Sequence, residues 1–463
     1  MARLNSLVCL ILATCVHAGA QSAEIGQILE RLGRVEKQNA QLAQQNRELA
    51  AQVQQLRTEI AGTRPAAPTN MTAAPPDTAT PTKASIEERQ AIQDSRIEEQ
   101  AQTKVEASQK FPIKITGMAL FNAYYNSHNG GAAEYPTVAS LTPGPNNVGA
   151  TLRQTVIGLE YHGPQILWGG TVNGSLAMDF FTGGVSFNST FRLRTGWINL
   201  DWKTTKITVG IDKPIFNPRE PVSLAQVGVS PLTGAGNLWL WLPQARVEHD
   251  FAFTKRTGLR ARVGIVQTHE ASPYSGSNVP VRMESARPGA EGRFEFYHNI
   301  DDDRRLELAG GFHTSQTHAG GFSIPSRVYS GDWFYNPFRR LEWSGEFFSG
   351  ENVASLGTGA VNQGYAVSTR SGYAVTSRGG WTQFTIHTIP RVDFHLFSGV
   401  QYYESGALDA QDVSRNMLYG VNLFYHIAPN VIVGPEISQF RTLYIGNGMR
   451  LTNHYDFALG YLF

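Results

Sequence analysis

In the stretch Met417-Leu-Tyr-Gly-Val-Asn-Leu-Phe-Tyr-His-Ile427 every second side chain is large and apolar, and the residues between them include Gly420, Asn422 and His426. A two-residue period of this kind is that of a β-strand with two different faces. Further stretches with the same period include residues 172–180, 207–212 and 259–265. Such segments, each of roughly ten residues, follow one another from residue 111 onward, as in the strands of a barrel. They predict an all-β domain over residues 111–463.

The connections between these segments alternate in length. Short turns are predicted at residues 163–165, 203–206, 254–258, 300–305, 336–340, 389–391 and 428–430. Longer loops are predicted at residues 126–150, 182–189, 212–244, 268–291, 313–327, 349–379, 404–415 and 440–451. Together they join 16 antiparallel strands, an even number with short turns at one end and long loops at the other, which is typical of a transmembrane β-barrel. A barrel of this size is wide enough to enclose a water-filled channel.

The composition favours strands over helices as the membrane-spanning elements. Hydrophobic residues make up 41% of the chain, and no stretch has the roughly 18 consecutive apolar residues of a transmembrane helix. The 39 basic and 38 acidic residues nearly cancel, so no nucleic-acid partner is expected. Aromatic residues recur near the ends of the apolar rows, as in the interfacial belts of membrane barrels, and they are Phe180, Phe181, Trp197, Trp202, Tyr402, Tyr403, Tyr461 and Phe463.

The first 20 residues have the pattern of a secretory signal peptide. Arg3 supplies a positive start, residues 7–16 form a short apolar core, and Ala18-Gly19-Ala20 is a small-residue cleavage site. The only cysteines, Cys9 and Cys15, lie in this segment, so the exported chain is expected to have neither a disulfide nor a thiol nucleophile. A lipoprotein cleaved before Cys15 is the alternative, which Thr14 disfavours.

Residues 24–62 carry a heptad pattern with polar residues between the seam positions, which predicts an α-helical coiled coil. A seam of this kind is buried only by another copy, so the segment predicts self-association, with dimer and trimer both open and a lone solvated helix as the alternative. Asn39 and Asn46 also occupy seam positions. The apolar seam residues are Ile25, Ile28, Leu32, Val35, Leu42, Leu49, Val53, Leu56 and Ile60.

The coiled coil is joined to the strand region by residues 63–110. Its first part, up to about Thr82, is rich in Pro, Ala and Thr and predicts an extended linker. The remainder is polar and predicts a short helix or a stalk. The predicted order is therefore a signal peptide at 1–20, a coiled coil at 24–62, a linker with a short polar helix at 63–110, and the barrel at 111–463.

Charged residues inside the strands should face the lumen, because a charge near the middle of the lipid face costs about 2–4 kcal/mol for Arg or Lys. Arginine offers a planar fork of donors that suits carboxylate and phosphate groups. A row of such side chains predicts a channel for small anions, and an unselective polar pore with opposing charges is the alternative. The candidate pore-lining residues are Arg192, Arg194, Lys213, Arg219, Arg246, Arg260, Arg262 and Arg293.

Two features bear on where these residues lie. Arg192 and Arg194 share their parity with the apolar Ile198, so a bulge near Gly196 is needed to turn both arginines into the lumen. The loop at 212–244 is long, rich in Pro and aromatic residues, and has no stable place in water. We therefore expect it to fold into the lumen as a constriction that carries Lys213 and Arg219, with contact to a neighbouring subunit as the alternative.

No pattern in the sequence indicates catalysis. His, Ser and acidic residues are scattered, without a nucleophile elbow, a zinc-binding helix or a phosphate-binding loop. We expect no enzyme activity, no cofactor and no metal. A structural or adhesive envelope protein, with a coiled-coil stalk anchored by a barrel, is the alternative to a channel.

The sequence resembles the DcaP-like trimeric porins of Gram-negative outer membranes. The resemblance rests on Phe191-Arg-Leu-Arg194, on Val209-Gly-Ile-Asp-Lys-Pro214 and on Pro243-Gln-Ala-Arg246. It implies a homotrimer in outer-membrane lipid, a coiled coil in the periplasm, and passive uptake of small anionic solutes such as dicarboxylates. The terminal Phe463 resembles the signal read by the barrel assembly machinery. The phosphate-selective porins are the nearest rival, and Val156 stands where the DcaP-like family commonly carries a basic residue.

Overall fold

The computed structural model describes residues 113–128, 130, 132–182, 189–268 and 288–463. The predicted signal peptide, coiled coil and linker lie outside the described residues, and so do the nine apolar seam residues. Among the described residues, no helix has the length and apolar character needed to cross a membrane.

The regular secondary structure of the described chain consists almost entirely of strands. They are β1 (Ile113–Asn126), β2 (Asn147–Thr151), β3 (Val156–Ile166), β4 (Gly170–Thr182), β5 (Thr190–Asp201), β6 (Thr205–Asp212), β7 (Leu242–Ala252), β8 (Thr257–Gln267), β9 (Pro288–Asn299), β10 (Arg305–Ala319), β11 (Phe322–Phe338), β12 (Leu341–Glu351), β13 (Tyr365–Val367), β14 (Gly372–Ala374), β15 (Thr376–Ile389), β16 (Val392–Tyr403), β17 (Val413–Ala428), β18 (Val431–Tyr444) and β19 (Gly448–Leu462). Short 3₁₀ turns lie at Leu167–Gly169, Ala354–Leu356 and Ser405–Ala407.

Seventeen of these strands form one antiparallel sheet, and β13 and β14 form a separate hairpin. The sheet closes on itself because β1 pairs with β19, from Met118 opposite Leu462 to Asn126 opposite His454. Strands β2 and β3 pair with the upper and lower parts of β1, so they are two halves of one barrel strand interrupted at residues 152–155. The barrel therefore has 16 strands, which confirms the predicted 16-strand antiparallel barrel.

The last residue takes part in this closure. The backbone N–H of Gly117 donates to the carbonyl of Phe463 at 3.0 Å, and the N–H of Phe463 donates back to Gly117 at 3.1 Å. A closed ladder leaves no unpaired strand edge, which is the condition for a sheet to sit in lipid.

The two faces of the barrel differ as predicted. In β19, Tyr455, Phe457 and Leu459 are 42%, 49% and 43% exposed, whereas Asp456 and Ala458 between them are 5% and 0% exposed. The exposed apolar row faces outward and the buried residues face the lumen, where they pack against loop segments. An apolar exterior over a polar interior is the arrangement that lipid requires.

Several predicted connections are misplaced. The first short turn lies at Leu167–Gly169 instead of 163–165, because β3 continues past Gly163 with a register shift before Gln165. The predicted loop at 313–327 is a continuous hairpin of β10 and β11 that reverses at Gly320 and Gly321, whose positive φ angles of 60° and 83° suit glycine. The loop at 440–451 shrinks to three residues between β18 and β19.

Two aromatic side chains expected in the interfacial belts face the other way. Phe181 and Tyr403 are 7% and 5% exposed, because each directly follows an outward aromatic residue and strand geometry turns it inward. The bulge predicted near Gly196 is present: the register of β4 and β5 shifts between Ala177 opposite Thr195 and Met178 opposite Leu193. The extra residue changes the parity of β5, so that Arg192 and Arg194 face inward while Ile198 is 59% exposed outside.

Candidate functional site

The loop between β6 and β7, residues 213–241, lies inside the barrel. The N–H of Ile215 donates to Glu291 of β9 at 2.6 Å, and the N–H of Val222 donates to Gln383 of β15 at 2.8 Å. These strands stand a quarter of the ring apart, and the carbonyl of Leu224 accepts a hydrogen bond of 2.8 Å from Asn122 of β1, nearly opposite β9, so the loop crosses the lumen. This confirms the predicted inward fold of the segment.

Apolar packing explains why this loop is stable away from water. Ile215, Phe216 and Leu238 are at most 2% exposed and pack with Val328 and Phe348 of the barrel wall. Burying three such side chains contributes about 1.5–3 kcal/mol each. The apolar residues of the loop, whose composition suggested an inward fold, therefore form a small core with the barrel wall.

At one side of the loop, Asp179 of β4 holds two of the predicted arginines. Arg192 binds it in a bidentate manner at 3.0 and 2.6 Å, and Arg194 approaches it at 3.1 Å. The same guanidinium groups donate to the loop carbonyls of Gly228, at 2.5 Å, and Val227, at 2.8 Å. Asp179 is fully buried. Removal of one partner from such a buried pair costs about 3–5 kcal/mol, so this cluster fixes the loop to the wall.

A cavity of about 310 Å³ opens between this cluster and the loop. Its lining includes Arg194, Lys213, Glu220 and Trp241. Lys213 lies 2.9 Å from Glu220, and the Arg194 guanidinium stacks 4.7 Å from the centre of the Trp241 ring. The Lys213 side chain is 39% exposed and that of Glu220 is 23% exposed, so the lysine is the more accessible member of the pair. The cavity therefore offers a solute two cationic groups and an aromatic face.

A second cluster lies on β8, β9 and β11. Arg293 binds Asp332 at 2.7 and 2.8 Å and Glu295 at 2.6 Å. Arg219 of the loop binds the same Asp332 at 2.5 Å, and Arg260 binds Glu295 at 2.5 Å. Because Arg293 is only 1% exposed, it stabilises the two carboxylates and is not accessible to a solute.

The remaining predicted cations are paired as well. Arg262 forms an ion pair with Glu248, which lies opposite it in the register of β7 and β8. Arg246 lies 2.8 Å from Asp212 at the entry to the loop. All eight predicted pore-lining residues thus lie on lumen-facing positions or on the inward loop, and each has a carboxylate partner. Arg192 and Arg194 form one group around Asp179, and a second group around Asp332, Glu295 and Glu248 contains Arg219, Arg260, Arg262 and Arg293. Lys213 and Arg246 pair separately with Glu220 and Asp212.

The sequence did not reveal the carboxylate partners of the arginines, nor Gln154, which also holds the loop. Asp179 lies directly opposite Arg192 in the hairpin of β4 and β5, so hairpin register is the signal that could have found it. Gln154, in the interruption between β2 and β3, accepts hydrogen bonds from the N–H groups of Val227 and Gly228 at 2.6 and 3.0 Å. No sequence signal marks this interruption.

The opposite wall carries acidic groups. Glu436 of β18 accepts hydrogen bonds from Ser223 at 2.5 Å and from Asn422 at 3.0 Å. Asp456 of β19 accepts one from Asn122 at 2.9 Å. Among the described residues neither carboxylate has a cation within ion-pair distance. Strands β18 and β19 stand half-way round the ring from β8 and β9, so these two carboxyl groups face the ion-paired cluster of β8 and β9.

Comparison with known proteins agrees with this architecture. No protein-family model matches the sequence, and no curated protein matches it. Among solved structures, the chain is similar to the outer membrane channel DcaP of Acinetobacter baumannii, with a TM-score of 0.64 at 13% identity over 76% of this chain and 97% of that one. The chain has the fold of a DcaP-like porin. An anion-selective porin from Comamonas acidovorans is also similar, with a TM-score of 0.53 at 10% identity over 76% of this chain and 99% of that one.

The match to DcaP confirms the predicted resemblance at the level of the fold. Both similarities cover nearly the whole of the known chain and three quarters of this one, as expected if they correspond to the barrel. The similarity is one of fold, and the roles of the arginines follow from their contacts in the lumen.

Proposed function

We propose that the protein is a porin of the Gram-negative outer membrane that lets small hydrophilic solutes diffuse passively through its lumen. The observation that carries this proposal is the 213–241 loop, which crosses a closed 16-strand barrel and borders a polar cavity. A barrel that serves only as a membrane anchor and is filled by its own loops gains nothing from charged, partly exposed side chains in its interior, because burying charged groups costs free energy. The similarity to two porin folds supports the proposal.

We propose further that the channel prefers anions, with small dicarboxylates as candidate solutes. Around the cavity, the three cations Arg192, Arg194 and Lys213 outnumber the two carboxylates of Asp179 and Glu220. The excess of one positive charge lies where the loop narrows the lumen. A guanidinium that shares its donors with a carboxylate retains further N–H groups for a passing anion.

The assembly proposed for the full chain is a homotrimer, with residues 24–62 as a periplasmic coiled coil and Phe463 as the signal for the barrel assembly machinery. The similar channel and porin folds have the same type of barrel, and the seam residues supply a reason to self-associate. The carboxyl-terminal strand that carries Phe463 is the strand that closes the barrel.

The deciding experiment is conductance in a planar lipid bilayer. The purified full-length protein is expected to give stepwise currents. In a salt gradient across the bilayer, the reversal potential is expected to be displaced toward the equilibrium potential of the anion. Addition of a dicarboxylate should block the chloride current in a concentration-dependent manner. A protein that inserts but carries no current is a structural anchor, and a current without selectivity or block leaves an unselective pore.

A further inference from the structure

Three arginines lie on the outer surface of the barrel, at the end where the long loops are. They are Arg378 of β15, Arg415 of β17 and Arg441 of β18. In the strand register Arg378 lies opposite Tyr402 and Tyr402 lies opposite Arg415, so these two arginines share one row across three neighbouring strands. Arg441 on the next strand lies opposite Met417, one step below that row. Their outward direction follows from their buried neighbours on the lumen face, which are Ser377, Asn416 and Thr442. We call these three residues the outer arginine patch.

The patch is held by aromatic rings and lacks counter-charges. The guanidinium carbons of Arg378 and Arg415 lie 5.8 and 6.0 Å from the centre of the Tyr402 ring, and that of Arg441 lies 5.5 Å from the centre of the Tyr419 ring. Within the described part of the chain no carboxylate lies within ion-pair distance of any of the three. The Nε atom of Arg415 is buried without a hydrogen-bond partner. The lumen arginines of the two clusters are, by contrast, all compensated.

Two carboxylates follow in the next row toward the loops. Glu351 lies opposite Thr376 and forms an ion pair of 3.6 Å with Arg327. Glu404 follows Tyr402 by two residues at the end of β16. The patch is therefore a positive site on the lipid side of this acidic rim.

The position of the row along the barrel places it at a membrane interface. Strand β16 begins at Val392, next to a short turn, and reaches Tyr402 near the long-loop end. A rise of about 3.3 Å per residue gives about 33 Å of strand between them, or about 25 Å of height at a tilt of about 40°. This height equals the apolar band of an outer-membrane barrel, so the patch lies at the level of the lipid headgroups on the long-loop side.

Below the patch, an apolar groove of about 750 Å³ runs along the outer surface. Gly380, Ser398 and Val400 form its floor, where small side chains leave the backbone uncovered, and Phe347 and Tyr419 stand at its sides. A groove that begins at a cationic site and continues into the apolar band matches an amphiphile with an anionic headgroup and a hydrocarbon chain.

We propose that the outer arginine patch and this groove bind a phosphorylated, multiply acylated glycolipid of the outer leaflet. The phosphate groups of this lipid accept charge-assisted hydrogen bonds from the guanidinium groups of the patch, whose planar donor forks suit phosphate oxygens. One acyl chain lies in the groove. The inference rests on the proposed outer-membrane location, although it does not depend on transport through the pore.

The test uses the detergent-solubilised full-length protein and a bisphosphorylated hexa-acyl glucosamine disaccharide as the probe, with bound lipid counted by native mass spectrometry. Replacement of the patch as Arg378→Gln, Arg415→Gln and Arg441→Gln is expected to weaken binding by about tenfold or more. The matched control is Arg339→Gln, Arg340→Gln and Arg391→Gln, which removes three exposed arginines at the short-turn end and should leave binding unchanged. The dephosphorylated lipid should bind wild type as weakly as the intact lipid binds the patch variant.

Several results would overturn the proposal: equal binding by wild type and the patch variant, equal loss in the control variant, or displacement of the lipid by millimolar inorganic phosphate alone. A change in oligomer mass instead of bound lipid would make this face a subunit interface and refute it as well. Should the triple variant fail to fold by heat-modifiable gel mobility, Arg441→Gln alone applies the same criteria at an exposed position. Conductance separates the two proposals, because a patch variant that loses lipid yet conducts normally leaves the channel function intact.

Discussion

Replacing Arg194 and Lys213 by Gln together should reverse the sign of the channel's ion preference. In the wild type the cations around the cavity exceed the carboxylates by one, and the double variant leaves Arg192 alone against Asp179 and Glu220. The fold should tolerate the change, because Arg192 still binds Asp179 through two hydrogen bonds of 3.0 and 2.6 Å. The buried carboxylate thus keeps a partner.

The magnitude follows from Coulomb's law. A unit charge changes the energy of a monovalent ion about 4 Å away by about 1 kcal/mol in water, which is about fivefold in local ion concentration. Loss of both cations should therefore lower the local concentration of anions by about 25-fold at low salt. At 1 M salt the screening length falls to about 3 Å, and the change should shrink to about twofold or less.

The assay is the reversal potential in a KCl gradient, measured at low and at high mean salt. A control that replaces the exposed Lys114 and Arg339 by Gln removes the same charge at the short-turn end, and it should leave the potential within error of the wild type. A double variant whose reversal potential keeps its sign and size at low salt would refute the assignment of this cavity as the selective part of the pore.

Four further changes test other parts of the structure. Arg260→Gln with Arg262→Gln leaves Glu248 without its cation partners and should shift the reversal potential toward cations; an unchanged potential removes both arginines from the pathway. Gly236→Ala places a Cβ 2.3 Å from the Gly380 carbonyl at a φ of +107°, so the loop tip should leave the wall and single-channel conductance should change, whereas an identical conductance contradicts the tight contact. Gln154→Ala removes the acceptor of two loop N–H groups and should cost about 1–3 kcal/mol of unfolding free energy in thermal unfolding, with the exposed Gln165→Ala as the neutral control. Deletion of residues 24–62 should lower the oligomer mass in native mass spectrometry without abolishing conductance, and an unchanged mass contradicts a role in assembly.

The barrel could be predicted from the sequence because lipid imposes the same two-residue period on every strand. Residues Met417 to Ile427 show that period clearly. The inward loop could be predicted because its apolar residues would be unstable in water. The bulge near Gly196 was predictable for the same reason, since an arginine and an isoleucine cannot share a lipid face. The hydrophobic pattern thus fixes strand number, closure and the crossing loop.

The ion-pair partners could not be predicted, because they depend on register and on contacts distant in sequence. Asp332 binds Arg219 from 113 positions away, and nothing local to either residue indicates the other. The loop at 313–327 was mistaken because the polar residues of β10 and β11 face the lumen and resemble a solvated loop. Polar lumen-facing residues therefore indicate a pore, and they also make the ends of the strands difficult to predict.

The distribution of charge in the lumen has a consequence for how solutes pass. Arg260, Arg262 and Arg293 stand on one wall, and Glu436 and Asp456 stand on the wall opposite. Each of these arginines is offset by Glu248, Glu295 or Asp332 on its own side, so this wall attracts or repels a solute little as a whole. Net attraction for anions then depends on the single excess charge at the cavity between Arg194 and Lys213. Selectivity should accordingly be modest and sensitive to salt.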